Sequence, residues 1–248
     1  EWNFSLLPLN FHQRFSVIII QELENQNYRK EADNYRAWQR IRKEKLGIVV
    51  LIGGVTGIGK STIAKELSYR LGIHNTIGTD SIREVMRKTV SREVAPELHE
   101  SSFLAQKHVE APPVIDRLIL GFERQCFMVS VGINGIIERS KKEGINGVLE
   151  GIHIIPGYFK TDLGVFPYIL QLTDIEAHKE RIYSRSDESR GPPERYLRHI
   201  DSITSIQRYI QNQAKAHDVP VIENIDAEKT INYIIEDIIE QLKKQLDQ

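Results

Sequence analysis

The stretch GVTGIGKS, Gly54 to Ser61, constrains what this chain can fold into more than any other. It satisfies G-x-x-x-x-G-K-[ST] and follows the apolar run GIVVLIGG. It opens STIAKELSYRLGI, where Ile63, Ala64, Leu67 and Leu71 recur at helical spacing before Gly72. A short apolar run bounded by glycines reads as a strand buried on both faces. Strand, glycine loop and helix in unbroken succession make a phosphate cradle, because loop N–H groups and the helix N-terminus both present positive potential to an anion. Gly54, Gly57, Ile58 and Gly59 supply the backbone of that cradle. Lys60 is placed to reach the β- and γ-phosphates of ATP, Ser61 to ligate Mg²⁺ through its hydroxyl, and Thr62 to assist at the α-phosphate. Thr56 either meets the transferring phosphate or shapes the loop.

Four further stretches, NTIGTD (75–80), INGVLEGIHI (145–154), VFPYILQLTD (165–174) and VPVIEN (219–224), read as strands alternating with helices. The expectation is an α/β fold: a P-loop NTPase with a doubly wound, five-stranded parallel sheet, a helical lid and an N-terminal helical appendage. Residues 1–45 form the appendage, in one or two helices, and 46–248 the P-loop domain. Within that domain, 81–146 is a helical acceptor-binding region, broken at Pro96 and by Ala111–Pro113, and 175–217 is a lid of two helices joined at Gly191-Pro192-Pro193.

The loop alone specifies a nucleoside triphosphate, so the reaction must be read from other residues. Asp80 falls just past the second strand and Glu150 just past the third. Ligands of open parallel sheets lie outside the carboxyl ends of the strands, so both carboxylates are expected to face the γ-phosphate. Asp80 is a candidate for positioning and deprotonating an acceptor hydroxyl, or for metal contact, and also fits a helix cap. Glu150 is a candidate for metal or water contact, and Ser61, Asp80 and Glu150 make the candidate metal set. Arg83, one turn beyond Asp80, can grip an anionic group of the acceptor. In HKERIYSRSDESRGPPERYLRH, Arg181 and Arg185 share a helix face, and Arg190 and Arg195 follow. Arginines on a closing lid stabilise the charge that builds on a transferring phosphoryl group. Arg185 and Arg190 are the catalytic candidates among them, with Arg181 and Arg195 as substrate contacts. His153, near Glu150, is a candidate for lining the acceptor pocket.

Composition removes several classes. Lys and Arg number 33 against 34 Asp and Glu, a net charge of −1, so the chain lacks the basic footprint of a nucleic-acid binder. The single cysteine, Cys126, excludes an intrachain disulfide and a cysteine metal site, and the histidines show no H-x-x-x-H pair. No apolar stretch is long enough for a membrane span, and the start lacks the order of a signal peptide, so the expectation is a cytoplasmic protein without a membrane partner. A homo-oligomer is left open.

The stretches IGTDSIREVMRK (77–88), VLEGIHIIPG (148–157) and ERYLRH (194–199), joined to RIRKEK and LIGG…TGIGKST, resemble the archaeal 2-phosphoglycerate kinase family from about Tyr35 onward. The resemblance implies ATP- and Mg²⁺-dependent phosphoryl transfer to a hydroxyl of a small phosphorylated carboxylic acid, with 2-phosphoglycerate giving 2,3-bisphosphoglycerate. Relatives resembling mevalonate-3-phosphate 5-kinases imply an alternative acceptor of the same chemistry. The family often carries a larger N-terminal module, for which the residues before Tyr35 are too few. A nucleotide-gated regulatory protein, switching a partner surface on the N-terminal helices, is the alternative from another class.

Overall fold

The computed structural model describes residues 11–43, 46–184 and 192–246. They fall into two compact units: residues 46–235, and the segment before residue 46 taken with residues from Glu236 on. In the smaller unit α1 (Phe11–Asn25) and α2 (Arg29–Lys43) are separate helices divided by a turn at Asn27, with Ala32 and Trp38 buried. The second part of the C-terminal helix belongs to this unit.

The larger unit is built on the P-loop sheet. Strands β1 (Val49–Gly53), β2 (Asn75–Gly78), β3 (Gly147–Gly151), β4 (Val165–Gln171) and β5 (Val221–Glu223) are all parallel, in the order β2-β3-β1-β4-β5. Central β1 is completely buried, as its apolar run requires when both faces are covered. Alternate residues point to opposite faces: Val49 and Leu51 pack with Leu149 and with Val129, Ile133 and Ile137 of α5 (Arg117–Glu143), and Val50 and Ile52 are equally buried on the other side.

Register decides where the site lies. Ile52 pairs with Glu150 and Gly53 with Gly151, while Gly78 pairs with Glu150, so the carboxyl ends of β1, β2 and β3 are level. The glycine loop leaves β1 at that edge and enters α3 (Lys60–Leu71), and β2 passes directly into α4 (Thr79–Thr89).

Several expected boundaries move. The 81–146 region is not helical throughout: between α4 and α5 it holds only two 3₁₀ segments, Pro96–His99 and Ser102–His108, because Pro96 and Pro112-Pro113 interrupt any longer helical ladder. Among the described residues beyond β4 stand α6 (Ile175–Tyr183), α7 (Pro193–Leu197) and α8 (Ile200–Ala216), three helices rather than two, before β5 and α9 (Ala227–Leu246). The extra division arises at Arg198–His199, where α7 stops after one turn. Arg185, Arg190 and the Gly191 tip lie outside the described residues. Among those residues no helix is long and apolar enough to cross a membrane.

Candidate active site

A cleft of about 400 Å³ opens over the carboxyl ends of β1, β2 and β3. Thr56 and Lys60 stand at one side and Asp80 and Arg83 at the base of α4. Ser101 to Phe103 and Arg195 with Tyr196 form the far wall. All of these residues belong to the larger unit.

On the donor side, the loop is held by hydrogen bonds to three of its own carbonyls. Lys60 Nζ donates to Val55 O at 2.7 Å, His178 Nε2 to Thr56 O at 2.7 Å, and Asn224 Nδ2 to Ile58 O at 2.7 Å. Gly57 and Gly59 are obligatory for two reasons. Both have left-handed φ, +89° and +91°, and a Cβ would come within 2.9 Å of His178 Nε2 at Gly57 and 2.8 Å of Asn224 Nδ2 at Gly59. The Ile58 side chain is fully buried, so this residue can face a ligand only through its backbone. Thr62 lies exposed on the first turn of α3.

Ser61 and Glu150 form the second element of the site: Ser61 Oγ donates to Glu150 Oε1 at 2.8 Å. Glu150 is thus the fourth residue of β3 and not a loop residue past it, which turns its carboxylate onto the start of α3. A hydroxyl and a carboxylate beside Lys60 make a hard oxygen donor set of the type that holds Mg²⁺ together with nucleotide phosphates. No cluster of three or more His, Cys, Asp or Glu suited to a metal occurs among the described residues.

Asp80 lies in the first turn of α4, whose N-cap is Gly78, so the side chain does not cap the helix and instead projects into the cleft, 71% exposed. Arg83, one turn on, is largely buried. Its Nη1 donates to Glu100 O at 3.1 Å and its Nη2 lies 3.7 Å from Asp80 Oδ1, while Nε is buried with no hydrogen-bond partner among the described residues. Arg195 faces it from α7, donating through Nη2 to Ser101 Oγ at 2.5 Å with its guanidinium 5.9 Å from the Phe103 ring centroid. Phe103 is itself wedged between Tyr196, edge-on, and His199, stacked. Two planar cations therefore flank the same cleft as Asp80.

The sequence is 43% identical to the 2-phosphoglycerate kinase of Thermococcus kodakarensis over 224 residues, 90% of this chain and 77% of the relative. It is 44% identical to that of Pyrococcus furiosus over 236 residues, 93% and 78% of the two chains, and 45% identical to that of Pyrococcus horikoshii over 222, 89% and 74%. The chain belongs to the 2-phosphoglycerate kinase family. No family model matches it. Among solved structures, a gluconokinase from Sinorhizobium meliloti 1021 aligns with 81% of this chain and 98% of its own at 12% identity and a TM-score of 0.48. A shikimate kinase from Acinetobacter baumannii in complex with shikimate covers the same shares at 17% and 0.41.

Within this member of the family, two predicted contacts stand elsewhere. Arg181 is not among the residues lining the cleft; its Nη2 donates to Ile225 O at 2.9 Å and its Nη1 lies 3.8 Å from where a Cβ on Gly59 would stand, beside the glycine loop. His153 does not line the cleft either, being fully buried beneath it. Its partners fix its tautomer. Gln125 Nε2 donates to the carbonyls of Glu97 and Glu100, which can only accept, so Gln125 Oε1 must accept from both Ser102 Oγ and His153 Nε2. His153 Nδ1 then accepts from Thr79 Oγ1 at 2.8 Å. Burial lowers the imidazole pKa to about 3, with Arg83 and Lys60 adding to the effect and Asp80 opposing it. A neutral His153 thereby ties the start of α4 to the wall that carries Ser101, Ser102 and Glu100.

Sequence reasoning passed over His178, Asn224, Gln125, Ser101 and Phe103. Each acts across at least 23 positions of chain, and none carries a periodicity or spacing that ties it to the loop or to Arg195. His178 is one of eight scattered histidines, and only the packing of α6 brings it beneath Thr56.

Proposed function

We propose that the chain transfers the γ-phosphoryl group of ATP, with Mg²⁺, to the free hydroxyl of 2-phosphoglycerate, yielding 2,3-bisphosphoglycerate and ADP. One juxtaposition carries this reading. Asp80 shares a cleft with Lys60 and with Glu150, which accepts from Ser61, on the donor side, and with Arg83 and Arg195 on the acceptor side.

The loop N–H groups and Lys60 bind the β- and γ-phosphates. Ser61, with Glu150 behind its hydroxyl, would hold Mg²⁺, which when bound offsets the charge of the phosphates. Arg83 and Arg195 grip the phosphate and carboxylate of the acceptor, which a single cation could not do for a doubly anionic molecule. Asp80 accepts the hydroxyl proton as the acceptor oxygen bonds to the γ-phosphorus and the bond from that phosphorus to the β,γ-bridging oxygen breaks, leaving ADP. Phe103 and the apolar body of Tyr196 keep water from the acceptor end of the cleft.

The test is ADP release by the purified protein with ATP and Mg²⁺, with and without acceptor. Release is expected to rise sharply with 2-phosphoglycerate and to vanish in Lys60→Ala. Background release at saturating 2-phosphoglycerate, with stimulation by mevalonate 3-phosphate, would move the acceptor assignment to the latter. Slow hydrolysis indifferent to both would favour a nucleotide-gated regulator.

A further inference from the structure

The peptide unit is planar and trans, so its carbonyl and the N–H of the next residue point in opposite directions. A donor that pins the carbonyl of one residue therefore aims the N–H of its successor the other way. His178 Nε2 holds Thr56 O and Asn224 Nδ2 holds Ile58 O, both at 2.7 Å, which directs the N–H groups of Gly57 and Gly59 away from these two side chains. His178 and Asn224 are each 2% exposed, and neither lines the cleft. Both lie tight against the loop: a Cβ at Gly57 would stand 2.9 Å from His178 Nε2 and one at Gly59 2.8 Å from Asn224 Nδ2.

We propose that His178 and Asn224 are positioning residues for the nucleotide: they clamp the back of the phosphate loop so that the N–H groups of Gly57 and Gly59 converge on the donor phosphates. Two effects act together. The clamp pre-sets a loop of left-handed glycines that would otherwise sample many conformations, so less ordering accompanies binding. A carbonyl that accepts a hydrogen bond also polarises its peptide unit, strengthening the N–H on the far side as a donor. The role needs a donated hydrogen bond and not a charge, so a neutral amide of similar reach serves as well as imidazole. The proposal rests on nucleotide binding at the loop and is independent of which acceptor is used.

The experiment is calorimetric titration of the full chain with ADP and Mg²⁺, which needs no acceptor, beside a thermal melt of each variant. His178→Ala and Asn224→Ala are each expected to weaken ADP binding about tenfold, the scale of one lost hydrogen bond. His178→Gln, which returns an N–H donor, is expected within about threefold of the parent. Ile133→Ala, in the core cluster on α5, lowers the melting midpoint without touching the loop and is expected to bind ADP normally. Unchanged affinity in His178→Ala, no recovery in His178→Gln, or an equal loss in Ile133→Ala would each overturn the clamp. The expected losses in His178→Ala and Asn224→Ala and recovery in His178→Gln, together with no turnover of 2-phosphoglycerate by the parent, would instead sink the acceptor assignment and leave the clamp standing.

Discussion

At the scale of single residues, the cleft separates groups by what surrounds them. Asp80 is exposed, with the Arg83 guanidinium 3.7 Å from its carboxylate. Asp80→Asn is expected to lower kcat by about 10²- to 10⁴-fold, the range for loss of a general base, while KM for ATP changes little; steady-state ADP release measures both. Arg195→Ala is expected to raise KM for the acceptor and spare that for ATP, since on the proposed reading Arg195, which lines the cleft with Arg83, holds the acceptor. His153 is the opposite case to Asp80. Its folded pKa, about 3, lies below the ordinary 6.5, so below pH 6.5 the unfolded chain takes up a proton that the folded chain refuses. Stability is expected to be complete above pH 6.5 and to fall toward pH 3, by at most about 1.4 kcal/mol per pH unit from this group. Urea unfolding of the parent and His153→Asn at pH 7, 6 and 5 measures this: the stability difference between them should shrink as pH falls, and a constant difference refutes the assignment.

At the scale of elements, two aspartates do the same local job with different consequences. Asp116 caps α5 by accepting from the N–H groups of Leu118 and Ile119, and Asp174 caps α6 by accepting from those of Glu176 and Ala177. Replacing either by alanine is expected to lower unfolding stability by about 1 kcal/mol. Only Asp174→Ala should also weaken ADP binding, because His178 lies one turn into α6 and its aim depends on that first turn. Equal ADP affinities in the two variants would show that α6 holds His178 without its cap. The same contrast explains what could be read in advance. Helices α3 and α9 and the five strands follow from apolar spacing and glycine boundaries. The 3₁₀ segments over 96–108 do not, since they are held by Gln125 and by packing against α5, contacts remote in sequence.

At the scale of the whole chain, every residue of the cleft comes from the 46–235 unit. Removing residues 1–34 is therefore expected to leave acceptor-dependent ADP release intact in protein that remains folded by circular dichroism. Loss of turnover in such a folded protein would assign the N-terminal helices a part in the reaction.

The sequence by itself determined the donor half of this protein. A strand, glycine loop and helix are contiguous in the chain, so G-x-x-x-x-G-K-S specifies Lys60 and Ser61 through local geometry alone, and the alternation of apolar runs with helices specifies the parallel sheet. Asp80 and Arg83 were legible because strand ends and helix turns are local features as well. Only the tertiary structure decided that Glu150 accepts from Ser61, that Arg195 lines the same cleft as Arg83, that His153 is fully buried, and that His178 and Asn224 hydrogen-bond the loop carbonyls. Those pairings depend on sheet register and helix packing between segments up to 166 positions apart, and no short-range pattern encodes a contact of that kind.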